Sequence, residues 1–230
     1  MALYLGDKKV CPTLTIEKTL PSMKAFFEAG GKCAYSTAQS FEGCLQPSDT
    51  KNVTDMHSMF YECSSLATIP QLDTSKVTNM NSMFYNCSSL ATIPQLDTSK
   101  VTNMNSMFFV CSKLTTIPQL DTSNVTDMGS MFSICSSLTV IPQFDASKVT
   151  NMTSMFYICS SLTAIHMINI NANLKISSST KFTREALVEI IGNLKAQTSG
   201  SKKLIMGSEN LAKLTDEDKS VATGKGWTLA

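Results

Sequence analysis

Asp73-Thr74-Ser75-Lys76-Val77-Thr78-Asn79-Met80-Asn81-Ser82-Met83-Phe84-Tyr85-Asn86-Cys87-Ser88-Ser89-Leu90 is the stretch on which the fold turns, because it comes back almost unchanged from Asp97 to Leu114. Met56, Met80, Met104, Met128 and Met152 stand at a constant step of 24, since 80 − 56 = 24. The same step carries Phe60 through Phe84, Phe108 and Phe132 to Phe156, Cys63 through Cys87, Cys111 and Cys135 to Cys159, and Leu66 through Leu90, Leu114 and Leu138 to Leu162. A period of 20 to 29 with a leucine frame belongs to solenoids of the leucine-rich-repeat type.

Within one unit two halves are expected. Met80, Met83, Phe84 and Cys87 sit at i, i+3, i+4 and i+7, which at about 100° per residue places them on one face of a short helix. Thr78 is the expected N-cap. Leu90-Ala91-Thr92-Ile93 has strand character and meets Pro94, which cannot donate a ladder hydrogen bond, so the strand is expected to end there. Leu96 returns to the core, and Asp97-Thr98-Ser99 makes a polar turn. Neither half buries an apolar face alone, whereas five stacked units do. The expected fold is therefore an α/β solenoid, a leucine-rich-repeat-like stack of 24-residue helix–strand units with N- and C-terminal caps.

Four segments follow. Residues 1–21 read as an N-terminal hairpin and lead-in. Residues 22–52 read as degenerate capping units, with Met23, Phe26 and Phe27 at helix spacing, Ser22 as N-cap, Gly30-Gly31 as the stop, and Phe41-Glu42-Gly43-Cys44 echoing Phe60-Tyr61-Glu62-Cys63. Residues 53–168 form the repeat array. Residues 169–230 form an α/β cap: a helix opening at Thr183, a strand at Lys203-Leu204-Ile205-Met206, a short helix bearing Leu211 and Leu214, a capping box at Thr215-Asp216-Glu217-Asp218, and a closing strand Trp227-Thr228-Leu229.

The unit from Asp73 to Leu90 is similar to the BspA-like leucine-rich repeat, and the resemblance runs over residues 37 to 165. It implies a place on a bacterial surface, a mycoplasma-type lipoprotein or a phage protein, and adhesion or recognition rather than catalysis. The start, Leu3 to Val10, resembles the hairpin opening many phage tail-associated proteins, and Thr183 to Leu187 with Gly226 to Leu229 resembles caps of phage and prophage proteins.

Composition narrows the function classes. Charged residues make up 16% and the formal net charge is +1, so the basic stripe that nucleic acid demands is missing. The longest apolar run is far short of the roughly 20 residues that cross a bilayer. Residues 1–10 lack a basic end followed by an apolar core, so no signal peptide is read there. The chain is expected to be made in the cytoplasm and to work on a virion or cell surface, with any export signal lying outside this sequence.

Several columns invite chemistry. Methionine and cysteine ladders suit Cu(I), but they share the phase of the core positions and read as buried filler. Eight cysteines are present; the five in the ladder point one way and are expected to be reduced, while Cys11, Cys33 and Cys44 fall in the irregular cap. Asp73, Asp97, Asp121 and Asp145 stand in turns and read as turn caps rather than calcium ligands, which come as several carboxylates per site. His57 occupies a slot held by Asn81, Asn105, Gly129 and Thr153 in other units, a variable surface position, and His166 sits where the repeat breaks down. Neither accompanies a nucleophile motif. The expectation is a non-enzymatic recognition or structural protein, a phage virion component or surface-binding protein using the repeats as a rigid scaffold, with a secreted or surface-anchored bacterial adhesin and an intracellular protein-binding module as alternatives, and with no catalytic, cofactor or metal residues. Its partners are expected to be a protein or glycan on a cell surface, or other virion proteins, or for an intracellular module a protein. Two faces compete as the binding surface: the aromatic column Tyr61, Tyr85, Phe109 and Tyr157, and the sheet face Thr68, Thr92 and Thr116 with Gln71, Gln95, Gln119 and Gln143.

Overall fold

The computed structural model describes residues 50–198 and 200–230, together with the backbone of residues 4–5 and 8–9. The expected capping units over 22–49 lie outside these residues, as do Cys11, Cys33 and Cys44. At the N-terminus β1 (Tyr4–Leu5) pairs antiparallel with β2 (Lys8–Lys9).

The array is a repeat solenoid, but its units are not helix–strand pairs. Over Met80–Cys87 the expected helix is replaced by a ribbon of turns. Inside the unit the N–H groups of Met83, Tyr85 and Cys87 donate to the carbonyls of Met80, Ser82 and Phe84, three residues back. The alternate N–H groups, those of Met80, Ser82, Phe84 and Asn86, leave the unit and donate to Asn103, Asn105, Met107 and Phe109 of the next one at 2.7–3.0 Å. Ser82 and Asn86 have φ of 53° and 57°, a left-handed conformation that a right-handed helix cannot contain. Left-handed residues four apart bring Met80, Met83, Phe84 and Cys87 to the interior just as a helix face would, which is why the spacing reads as helical. Thr78 is accordingly no N-cap; its N–H and its Oγ1 both donate to the Thr54 carbonyl one unit below.

The strand half is looser than its composition predicts. Ala91, Thr115 and Thr139 donate one unit back at 3.5, 3.2 and 3.4 Å. A regular pair forms only at the end, where β3 (Val140–Asp145) runs parallel to β4 (Ala164–Ile168). Between the pairs Ile141–Ile165 and Phe144–Met167, two residues, Pro142 and Gln143, face one, His166. That bulge holds Pro142, a residue with no N–H to give, so pairing resumes beyond it instead of stopping there.

Stacking buries the whole apolar frame. Val77, Met80, Met83, Phe84, Cys87, Leu90, Ile93 and Leu96 are all below a tenth exposed, and equivalents repeat in neighbouring units. The rings of Phe60, Phe84, Phe108, Phe132 and Phe156 stack with centroids 5.4–6.0 Å apart and planes within 9° of parallel. Polar side chains close the rungs. The Oδ1 of Asn79, Asn103 and Asp127 accepts the N–H two residues on, the turn for which Asn and Asp are suited. Asp127 also receives Asn105 and Asn151 Nδ2 at 3.1 and 3.0 Å. Both amides come so close to Gly129 that a Cβ there would stand 2.6–2.7 Å from them, so a side chain in this slot of unit four would have to push them aside.

The C-terminal segment seals the last rung. Ser179, fully buried, donates its hydroxyl to the Cys159 carbonyl at 2.7 Å. Thr183 caps α1 (Arg184–Gly192), which buries Leu187, Ile190 and Ile191. A parallel sheet in the order β5 (Leu174–Lys175), β6 (Lys202–Ile205), β7 (Trp227–Leu229) follows. The short α2 (Ser208–Leu211) and α3 (Asp216–Gly224), opened by the Thr215–Asp218 capping box, connect its strands. Arg184 grips Asp218 with two hydrogen bonds of 2.8 Å, clamping α1 to α3.

Three stability outcomes follow from this arrangement. Met107→Ala, in mid-array and fully buried, is expected to cost about 2–5 kcal/mol in urea melts, the range for truncating a core methionine. Ile158 is a β-branched residue at φ 56° and 41% exposed, a conformation costing about 1–3 kcal/mol; Ile158→Asn should raise the midpoint, and a lower one would contradict the strain. The hydrogen bond from Arg184, and then the Thr215 N–H, hold the Asp218 carboxyl below the usual carboxylate range. A depressed folded value means the clamp stabilises at pH above the unfolded value of about 4 and fades as pH falls through the folded one. The Tm gap between the wild type and Asp218→Asn should therefore be wide at pH 7 and close in acid; a gap independent of pH would show that the charge contributes nothing.

Candidate functional site

The cysteine column is a structural ladder. Cys87, Cys111, Cys135 and Cys159 are free and buried, and each Sγ donates to the carbonyl of a phenylalanine 27 residues back, at 2.9–3.1 Å. A thiol suits this place because it is small and apolar yet carries one weak donor. Burial pushes the Cys87 and Cys159 thiols up to about 12 and raises those of Cys111 and Cys135 as well. Cys63 departs from the expected reduced column: it is disulfide-bonded to a partner outside the described residues.

The aromatic column is largely turned upon itself. Tyr61 stacks on Tyr85 and Tyr85 on Phe109, with centroids 4.6 Å apart and planes 10–11° from parallel. Rings in register cover one another's faces, leaving their edges to solvent. The stack is broken at the buried Ser133, beyond which Tyr157 is 48% exposed. Burial, followed by the neighbouring Tyr85, raises the Tyr61 phenol above its ordinary value.

The sheet face is more open. Thr68, Thr92 and Thr116 are exposed, as are Gln71, Gln95, Gln119 and Gln143. Three of the four glutamine amides work along the array: Gln71 Nε2 donates to the Gln95 carbonyl at 2.7 Å, Gln95 to Gln119 at 2.6 Å, and Gln119 to Gln143. Between this column and the next turn lies an open groove of about 690 Å³. Its lining brings Gln95, Gln119 and Gln143 together with Asp97, Asp121 and Asp145, and with Leu96, Leu120, Thr98, Thr122 and Ile168. Thr92 and Thr116 flank the groove in sequence without lining it, and the aromatic column contributes nothing to it.

The groove aspartates are what reading the columns one at a time misses. They are turn caps: Oδ1 of Asp97 accepts the N–H and hydroxyl of Ser99 at 3.0 and 2.7 Å, and Asp121 and Asp145 accept from Ser123 and Ser147. The serine hydroxyl, then its N–H, hold Asp97 low. At Asp145 burial opposes ionisation, but hydrogen bonds from Asn169 and Ser147 prevail and lower it. The signal was available, since glutamine and aspartate recur two residues apart with one period. Both histidines are engaged. His57 is half-buried rather than a free surface residue, with Nδ1 3.0 Å from the Asn81 carbonyl and Nε2 3.2 Å from Ser58 Oγ. His166 pairs with Glu189 at 2.7 Å. Among the described residues no group of three or more His, Cys, Asp or Glu side chains is placed to hold a metal ion.

The model of the family described as "Mycoplasma protein of unknown function, DUF285" matches residues 31–138 and 89–186, well over half of the chain. The chain belongs to the DUF285 family. The fold of this DUF285 chain is similar to the crystal structure of the T. pallidum leucine-rich repeat protein, TpLRR, at a TM-score of 0.50 and 20% identity, covering 77% of this chain and 79% of that one. Together the two matches support the BspA-like leucine-rich-repeat resemblance. No curated protein matches the sequence. The family match leaves residues 1–30 and 187–230 outside it, so the flanks that suggested a phage protein gain nothing from it.

The thiol ladder gives a direct check on the site's chemistry. Ellman's reagent should find Cys87, Cys111, Cys135 and Cys159 silent in native protein at pH 8, where a thiol of about 12 is roughly one part in ten thousand thiolate. Denaturant should release all four, and mapping of unreduced protein should place Cys63 in a disulfide with a cysteine outside the ladder. A bridge within the ladder would refute the packing described.

Proposed function

We propose that this chain is a non-enzymatic recognition scaffold whose solenoid holds a regular polar face toward a protein or glycan partner at a cell surface. The observation that carries the reading is the use to which the repeated side chains are put. The methionine, phenylalanine and cysteine columns fill the core, the Asn79 column closes turns, and the aromatic stack covers its own ring faces. What repeats and remains open is the glutamine and aspartate face with its groove. Rigid periodic surfaces of this kind are what solenoids present to partners. The two histidines engage a carbonyl, a serine beside it in sequence and an exposed glutamate, which supports binding over catalysis.

Within this reading a secreted or anchored adhesin is favoured over an intracellular binding module, because a disulfide at Cys63 suits an oxidising compartment. The virion variant rests on the resemblance of the flanks alone. Surface proteolysis of intact source cells separates them: the chain should be clipped from the outside, and recovery only from the cytosol, or only with virus particles, would replace the reading. On protein and glycan arrays the purified chain should bind saturably. Gln95→Ala with Gln119→Ala should weaken that binding, whereas Tyr61→Ala with Tyr85→Ala should instead lower the melt by unstacking the column. Turnover in a broad hydrolase screen would overturn the non-enzymatic assignment.

A further inference from the structure

The groove can be read atom by atom for what it lacks. Gln95 Nε2 spends both hydrogens on the protein, one on the Leu96 carbonyl at 3.2 Å and one on Gln119. Gln119 does the same with Leu120 and Gln143. Thr98 and Thr122 donate their hydroxyls to the carbonyls of Asp121 and Asp145 at 2.8 and 3.1 Å, and Ser99 donates its own to Asp97. The donors along the wall are thus turned inward at five of the lining residues. Acceptors remain: no donor among the described residues reaches Oε1 of Gln95 and Gln119 or Oδ2 of Asp97 and Asp121. A hydroxyl has one donor and an amide nitrogen two, so groups already committed have none left to offer a ligand.

Charge points the same way. Three carboxylates line the groove and no lysine or arginine does. Two of the lysines on the neighbouring turn column, Lys76 and Lys148, are tied to Asn52 and Asn124 at 2.9 and 2.6 Å. Asp97 to Asp145 spans two rungs, about 10 Å at the parallel-strand spacing, with open volume enough for a short stretch of main chain and its side chains. An anionic ligand meets three carboxylates and no cationic side chain here.

We infer that this groove binds an extended, lysine-bearing peptide segment of a partner protein, its ammonium groups on Asp97, Asp121 and Asp145 and its N–H groups on the glutamine Oε1 atoms. The inference deepens the recognition reading and rests on it. The affinity is modest and falls with salt, because exposed charges are screened within about 10 Å at 0.1 M ionic strength. The partner supplies strength through further contacts along the same face.

The test uses the full chain and a fluorescein-labelled hexapeptide of alternating lysine and alanine, followed by anisotropy at low salt. Saturable binding is expected, weaker in 0.5 M sodium chloride, with no binding of the matching glutamate–alanine peptide. The triple variant Asp97→Asn, Asp121→Asn, Asp145→Asn should bind about tenfold more weakly, since each exposed pair contributes little singly. Asparagine keeps the turn, as Asn79, Asn103 and Asn151 do in the same protein, so the melt should not move. If the triple variant melts early, Asp121→Asn alone should still lower affinity at an unchanged Tm. No binding by the wild type, equal binding of the glutamate peptide, full affinity in the folded variants, or displacement of the peptide by an equal concentration of spermine would each overturn the assignment. Any of these results with array or cell-surface binding intact removes the peptide groove and leaves the recognition scaffold standing. Loss of wild-type surface binding while the peptide still binds removes the scaffold reading instead.

Discussion

The alternation of backbone hydrogen bonds in the Met80–Cys87 ribbon governs the rest of the molecule. One N–H closes a turn inside the unit and the next reaches the following unit, so no unit satisfies its own backbone. An unpaired N–H in this interior would cost about 1–3 kcal/mol, and each of the first four units leaves four to be satisfied by the next. Stacking is therefore obligatory, in one register and at one spacing. Every side-chain column inherits that spacing: phenylalanine rings at 5.4–6.0 Å, tyrosines at 4.6 Å, thiols one rung from the carbonyls they serve.

The same constraint explains why residues of reactive types are committed to the stack. Thiols, amides, hydroxyls and carboxylates at fixed positions in stacked turns meet the backbone of adjacent units before they meet solvent. Cysteine and threonine hydroxyl and thiol groups donate up or down the stack, glutamine amides run along it, and Asn79 and Asp97 close their own turns. What these bonds leave unused on the groove face includes acceptors and charges. The left-handed positions add a second effect. Asn86 occupies its position at little cost, whereas Val110, Ile134 and Ile158 hold φ of 56–63° against the preference of β-branched side chains. Interlocking rungs hold the ribbon in that shape whatever side chain stands there.

Much of this was legible in the chain. The 24-residue step, the core columns, the thiol phase and the turn-capping aspartates follow from repetition and burial logic. So do the helix at Thr183 and the capping box at Thr215, because side-chain caps are local interactions between residues a few positions apart. The helical reading of the ribbon failed for a definite reason. Spacing at i, i+3, i+4 and i+7 reports which residues face inward, not which carbonyl each N–H finds. Positive φ at Ser82 and Asn86 delivers that facing by another path. His57 was misplaced for a related reason: the partner that half-buries it is a main-chain carbonyl of the next unit, which side-chain variability at the slot does not register.

What the sequence by itself determined is the periodic part: how many units, which columns are buried, and that the array must stack, since a short apolar unit has no other way to leave water. What only the tertiary structure decided is everything that depends on contacts between units. The ribbon in place of a helix, the bulge at Pro142, the self-covering of the tyrosine stack, the disulfide at Cys63 and the inward turn of the groove donors all involve atoms 20 or more residues apart or outside the repeat. A repeat records each position once per turn of the solenoid, but the bonds that set its character run between turns, where the identity of a residue does not say which neighbour it will meet.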